Sequence, residues 1–256
     1  MSQQNLLVEL LVEELPPKAL KKLDEAFGAS VWASLHAQGL VDSDLQTQET
    51  VVRTFATPRR LGVWIKGVKT QANDKPLQQK LMPVSVGLDA QGQPTPALLK
   101  KLQALGVVSE SNDALMDKLQ RESDGKTDVL FLNSTAKGVL LQAGLQKALD
   151  EALHHLPIPK VMQYQLHSDC ELPGWSTVGF VRPAHGLVAL HGSDTVPVSV
   201  LGLKAGNTTV GHRFEAKQSP LQLRHADDYV HVLQEQGAVI PSYADRSTRM
   251  LTELRA

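Results

Sequence analysis

The chain has 256 residues, 42% of them hydrophobic, and a formal net charge of −1. It is long enough for one large or two modest cored domains, and it carries no gross basic excess that would by itself call for DNA, RNA or an anionic membrane. A lone cysteine, Cys170, excludes an internal disulfide framework and fits a reducing compartment.

The start, Met1-Ser2-Gln3-Gln4-Asn5, lacks the charged region and apolar core of a secretory signal, and no window approaches a membrane span; the expected location is the cytoplasm, without a membrane partner. Leu6 to Val12 is a partly β-branched apolar run that reads as a strand ending at Glu13-Glu14. Pro17 then suits the first turn of a helix, and Leu20, Leu23, Phe27, Val31 and Leu35 recur at helical spacing toward Gly39. The acidic pair reads as compensation of that helix's dipole. Val51 to Lys69 holds two β-rich runs split by Thr57-Pro58-Arg59-Arg60. This predicts a hairpin with Arg59 and Arg60 at its tip, serving either phosphate contact or a charged, solvated strand edge.

Gln, Pro, Gly and Asp dominate from Asn73 to Pro96, a loop-rich composition. A short helix over Pro96 to Leu105 and paired strands over Leu115–Gln120 and Val129–Leu132 are expected next. Residues 73–135 are thus either an inserted subdomain or a bulge from one sheet. Val139 to Leu153 has a helical apolar period and must stop at Leu156-Pro157-Ile158-Pro159, which leaves Lys160 exposed. Leu187 to Leu190, between Gly186 and Gly192, reads as a buried strand with Arg182-Pro183-Ala184-His185 at its mouth. Val196 to Leu203 reads as another strand, and a turn leads to Gly211-His212-Arg213-Phe214. Asp227–Gly237 and Ser242–Arg255 have helical period; Arg246, Arg249 and Arg255 beside Asp245 and Glu253 predict a self-compensated, solvated face.

The fold class expected is therefore mixed α/β (α+β), a mixed or antiparallel sheet with packed helices. Two Arg/His pairs, Arg182 with His185 and His212 with Arg213, each pinned by Pro or Gly, look more like anion or nucleotide recognition than proton-transfer catalysis. His154, His155, His167 and Cys170 match no zinc spacing, no phosphate-cradling glycine loop occurs, and no serine sits in a nucleophile elbow. No catalytic residue and no metal ligand is assigned.

Five blocks carry a family resemblance: Glu13-Glu14-Leu15-Pro16-Pro17 with Lys18-Ala19-Leu20, Thr57-Pro58-Arg59-Arg60-Leu61, Leu156-Pro157-Ile158-Pro159-Lys160-Val161-Met162, Phe180-Val181-Arg182-Pro183-Ala184-His185, and Gly211-His212-Arg213-Phe214. In this order, and with Ala226-Asp227-Asp228-Tyr229 and Val239-Ile240 behind them, the chain resembles the β subunit of the bacterial two-subunit glycyl-tRNA synthetase over nearly its whole length. It departs from that pattern at Leu11-Val12, where the family has Gly-Thr, and at Gln163-Tyr164, where it has Arg-Trp.

The resemblance implies an N-terminal portion or shortened form of that subunit, similar in kind to the editing-type domain of phenylalanyl-tRNA synthetase β subunits. It implies a non-catalytic part of a glycine–tRNA ligase, partnered by the α subunit, glycine tRNA and the remaining β domains. ATP with Mg would be used by the α subunit, with no cofactor bound by this region. Arg59, Arg60 and Lys160 become candidate tRNA contacts, and Arg182, His185, His212 and Arg213 an internal polar site. The alternatives are an assembly scaffold without tRNA contact and an editing-type deacylase.

Overall fold

The computed structural model describes residues 2–42, 51–89, 91–105, 119–123, 128–166 and 177–255. They form two compact units, Met1–Ala72 with Val139–Ala256, and Asn73–Gly138.

The first unit is built on an antiparallel sheet whose central strand is β1 (Gln3–Val12). The hairpin of β2 (Val52–Thr57) and β3 (Arg60–Lys69) pairs with β1 through β3. On the other side lies β4 (Ala184–His191), followed by the short edge strand Asp194–Thr195. The apolar run in β1 is nearly continuous because both of its faces are covered, as a doubly buried strand requires. Leu6, Val8, Leu10 and Val12 face one cluster, in which they meet Leu23, Phe27 and Val31 of α1 (Pro17–Ala37) and Leu145 and Leu149 of a second helix, Leu141–His155. Leu7 faces the opposite cluster, with Phe55, Val188, Leu190, Leu221, Tyr229 and Leu233.

α1 begins with Pro17 in its first turn, where a missing N–H costs nothing. It ends at Gly39, whose φ of 77° lets Leu40 N–H turn back to Leu35 C=O at 3.0 Å while both side chains are buried, a Schellman stop. The first turn of α1 holds no acidic residue, so the expected dipole role of Glu13-Glu14 is corrected: Glu13 faces Arg59 and His185 instead. The expected strand over 196–203 is also corrected. Leu201 and Gly202 both take positive φ, 52° and 75°, and fold Ser199–Val200 back onto Leu203–Lys204 as a tight hairpin.

The C-terminal part of this unit runs through a 3₁₀ turn, Ala226–Asp228, and the helices Tyr229–Glu235 and Tyr243–Arg255. Arg249 pairs with Glu253 at 2.8 Å along the last helix, as expected. Arg246 does not join that solvated face. Its guanidinium donates to the carbonyls of Ala56 at 2.6 Å, Ile240 at 2.8 Å and Pro241 at 3.1 Å, which ties the helix to the end of β2.

The second unit has its own antiparallel sheet, Lys75–Pro83, Asp128–Ala136 and Leu119–Ser123 in that order. Leu81, Leu88, Leu98, Leu102, Leu130 and Leu132 form its core, with Leu98 and Leu102 supplied by the helix Pro96–Ala104. Thr95 caps that helix by accepting from Leu98 N–H. Residues 115–118 of the expected first strand lie outside the described residues. Where the chain leaves the first unit and where it returns, Ala72 N–H donates to Val139 C=O at 2.9 Å. Among the described residues no helix is long and apolar enough to cross a membrane.

Asp24, on the inner face of α1, is 5% exposed. Burial pushes its carboxyl up to about 6, and Glu25 adds to this, while Thr54 and Arg246 oppose it. Because the folded value lies above the unfolded one, stability associated with Asp24 is fully present below about pH 4 and is lost as pH rises through about 6. Asp24→Asn is expected to be more stable than the parent at pH 8, by up to about 3 kcal/mol. It should lose that advantage by pH 4; urea midpoints of both proteins across this range measure the difference.

A candidate RNA-binding cleft

Two corners of the first unit meet beneath the non-strand segment that follows β1. The turn between β2 and β3 is Pro58-Arg59, fixed where Val12 N–H donates to Arg59 C=O at 3.0 Å and Leu15 N–H to Pro58 C=O at 2.6 Å. Between them Glu13 N–H donates to Pro183 C=O at 2.9 Å. The stretch 12–15 thus straps the hairpin turn to the Arg-Pro corner before β4. Ala184 N–H donates to the Tyr164 hydroxyl at 3.0 Å, and burial raises that hydroxyl's pKa. Tyr164, which stands where the resemblance expects Trp, thereby anchors the start of β4.

The third wall is the segment 210–214. His212 N–H donates to Gly237 C=O at 2.6 Å, and a Cβ on Gly211 would lie 2.6 Å from the Cα and O of Gly237, so this close backbone approach requires glycine. The His212 ring accepts at Nδ1 from the N–H groups of Glu215 at 3.2 Å and Phe214 at 3.4 Å. A neutral ring here therefore carries its proton on Nε2. Together the walls enclose an open cleft of about 670 Å³ whose lining includes Arg59, Arg60, His185, His212, Arg213 and Phe214.

These residues are not equivalent. Arg59 is half-buried and bonds Glu13 at 3.0 Å; His185 Nε2 stands 3.9 Å from the same carboxylate. Arg213 is exposed, with no hydrogen bond or ion pair among the described residues. Phe214 is 83% exposed and sits edge-on to His212, ring centroids 6.3 Å apart. Arg60 departs from expectation. It is 2% exposed, donates to Glu9 at 3.1 Å and to Val210 C=O at 2.7 Å, and so turns its charge inward rather than toward a phosphate. Arg182 departs as well: its guanidinium folds back on Val181 C=O and Met162 Sδ and is not among the residues lining the cleft. Lys160 is exposed and likewise outside the lining. His167 and Cys170 lie outside the described residues.

A sequence profile described as glycyl-tRNA synthetase beta subunit matches residues 6–256. The chain belongs to the glycyl-tRNA synthetase beta subunit family. Relatives named glycine–tRNA ligase beta subunit are 58% identical in Polaromonas naphthalenivorans, over 99% of this chain and 35% of the relative. In Janthinobacterium the identity is 56%, over 99% and 34%; in Methylobacillus flagellatus it is 54%, over 98% and 35%. The chain spans about a third of the length of these relatives.

In this member of the glycyl-tRNA synthetase beta subunit family, four of the five blocks that carry the resemblance contribute to the cleft or its strap. The fifth, 156–162, ends the helix Leu141–His155 and starts the strand Met162–Gln165. Sequence reading passed over the group beneath the floor. Glu9, 0% exposed, accepts from Arg60 and from the Tyr229 hydroxyl at 2.6 Å. Burial, the largest single influence, would lower the Arg60 pKa, yet Glu9 and Tyr229 together outweigh it and the value is raised; burial and then Glu9 push the Tyr229 hydroxyl well above its ordinary value, so it stays neutral. The available signal was one charge inside an otherwise apolar strand, since a doubly buried carboxylate needs a partner.

Glu9→Gln preserves shape but leaves the Arg60 charge uncompensated, and is expected to cost about 3–5 kcal/mol. The paired change Glu9→Leu with Arg60→Met should cost far less, and denaturant titration of the three proteins gives the comparison.

Proposed function

We propose that this region is a non-catalytic part of a glycine–tRNA ligase, assisting the ATP-dependent attachment of glycine to tRNA that a separate α subunit performs with ATP and Mg. In this reading its partners are that α subunit, glycine tRNA and the remaining β-subunit domains, in the cytoplasm. The observation that supports it is the meeting of Arg59, His185, His212 and Arg213 in one cleft, from segments far apart in sequence, within a chain of this family. Arg59 and Arg213 take phosphate oxygens, which position RNA without reading its sequence. Lys160 adds a contact outside the cleft. Arg182 and Arg60 hold the fold, and the two histidines supply hydrogen-bonding groups. Likeness to the editing-type domain of phenylalanyl-tRNA synthetase β subunits belongs to this reading as a matter of scaffold, not of chemistry.

A scaffold role without tRNA contact draws support from Arg59, whose charge already has Glu13 as partner. The two readings part on salt dependence. Each phosphate contact contributes about one unit of slope to the log–log plot of tRNA affinity against salt. Arg59→Ala with Arg213→Ala should therefore flatten the slope by about two units in filter binding. A scaffold would show no tRNA binding at low salt yet would co-purify with the α subunit. An editing-type deacylase would release amino acid from mischarged tRNA above background.

A further inference from the structure

Resting on that reading, we propose that the cleft takes an unpaired stretch of RNA, one or two nucleotides long, with a base stacked on Phe214 and its phosphates on Arg213 and Arg59.

Phe214 is the first observation. A phenyl ring left 83% exposed loses the benefit of burial, and here it stands beside the exposed Arg213 on a backbone that cannot drift. His212 N–H is tied to Gly237, Ala216 N–H to His212 C=O at 3.2 Å, and Lys217 N–H to Gln236 C=O at 2.8 Å. The His212 ring, held through Nδ1, supports the phenyl ring from its edge and leaves ring face free. An ordered aromatic next to an unpartnered guanidinium is the pairing by which proteins hold single strands: the ring meets the base and the cation meets the backbone.

The second observation is size. A cleft of about 670 Å³ is within the range of small-ligand pockets, which suits a nucleotide or two and not a helix. A duplex also fails on chemistry. Its base faces are covered by stacking, so an A-form helix offers phosphates and ribose hydroxyls but no base face to Phe214, whereas unpaired bases can splay onto aromatic side chains. The charges agree with a single strand: Arg59 and Arg213 lie at the cleft, while Glu13 and Glu14 beside Arg59 limit how many phosphates can be accommodated.

The test is competition against labelled glycine tRNA bound to the chain, using a four-nucleotide unpaired RNA and a blunt RNA hairpin whose strands are joined by a non-nucleotide linker, the two compared at equal phosphate concentration. The unpaired RNA is expected to displace tRNA at about tenfold lower concentration than the hairpin. Phe214→Ala should weaken both tRNA and the tetranucleotide about tenfold without altering the salt slope, and Phe214→Trp should restore binding. Because Phe214 is exposed, these variants leave the core intact. Hairpin competing as well as tetranucleotide, or Phe214→Ala binding like the parent, overturns the inference. If tRNA still binds with an arginine-dependent salt slope in that case, the broader reading stands; if no tRNA binds at all, both fall.

Discussion

The carboxylate of Glu9 is the constraint around which the first unit is arranged. It sits on the central strand, wholly buried, and is satisfied by the guanidinium of Arg60 and the hydroxyl of Tyr229. Removing two charges from water costs several kcal/mol per ion, so the cluster is a weak source of net stability but a strong source of register. A one-residue slip in β1 would turn Glu9 into the opposite cluster, away from Arg60 and Tyr229. Arg60 also donates to Val210 C=O, which carries the constraint from the sheet into the segment bearing His212, Arg213 and Phe214. The position of the cleft wall is therefore set by a charge buried in the core.

The same geometry separates two neighbouring arginines that look alike in sequence. In the β2–β3 hairpin, Arg59 occupies the turn and Arg60 the first position of the returning strand. Turn and strand differ by one residue, and that residue decides whether a guanidinium meets the cleft or the core. Glu13 then shapes what Arg59 can offer, since its carboxylate shares that guanidinium and lies near His185.

Much of the architecture was legible because its signals are local. Pro17 and Gly39 marked the two ends of the first helix, Thr57-Pro58-Arg59-Arg60 marked a hairpin, and Leu187 to Leu190 marked a buried strand, although it begins at Ala184 and so takes in His185 and Gly186. The failures share a cause. Arg246 looked like part of a solvated helix face but reaches a carbonyl on β2, 190 positions away in sequence, and Arg182 bends back to the carbonyl of the preceding residue, Val181. Neither direction is encoded in spacing. Leu201 at positive φ broke an apparent strand because tertiary packing can place an ordinary residue where propensity would not. At the candidate site, sequence named the histidines and arginines that Gly and Pro hold in place, yet assigned nothing to Phe214; only its exposure distinguishes it from the buried phenylalanines at 27, 55 and 180.

The hydrogen bond between Ala72 and Val139 gives the chain a single doorway through which it departs and comes home. The first unit holds that doorway shut whether the excursion is long or short, because joining two fixed neighbours depends only weakly on the length of the chain between them. The stretch from Asn73 to Gly138, with a leucine core of its own, can accordingly be lengthened, trimmed or exchanged like a cassette during descent while the first unit keeps its shape.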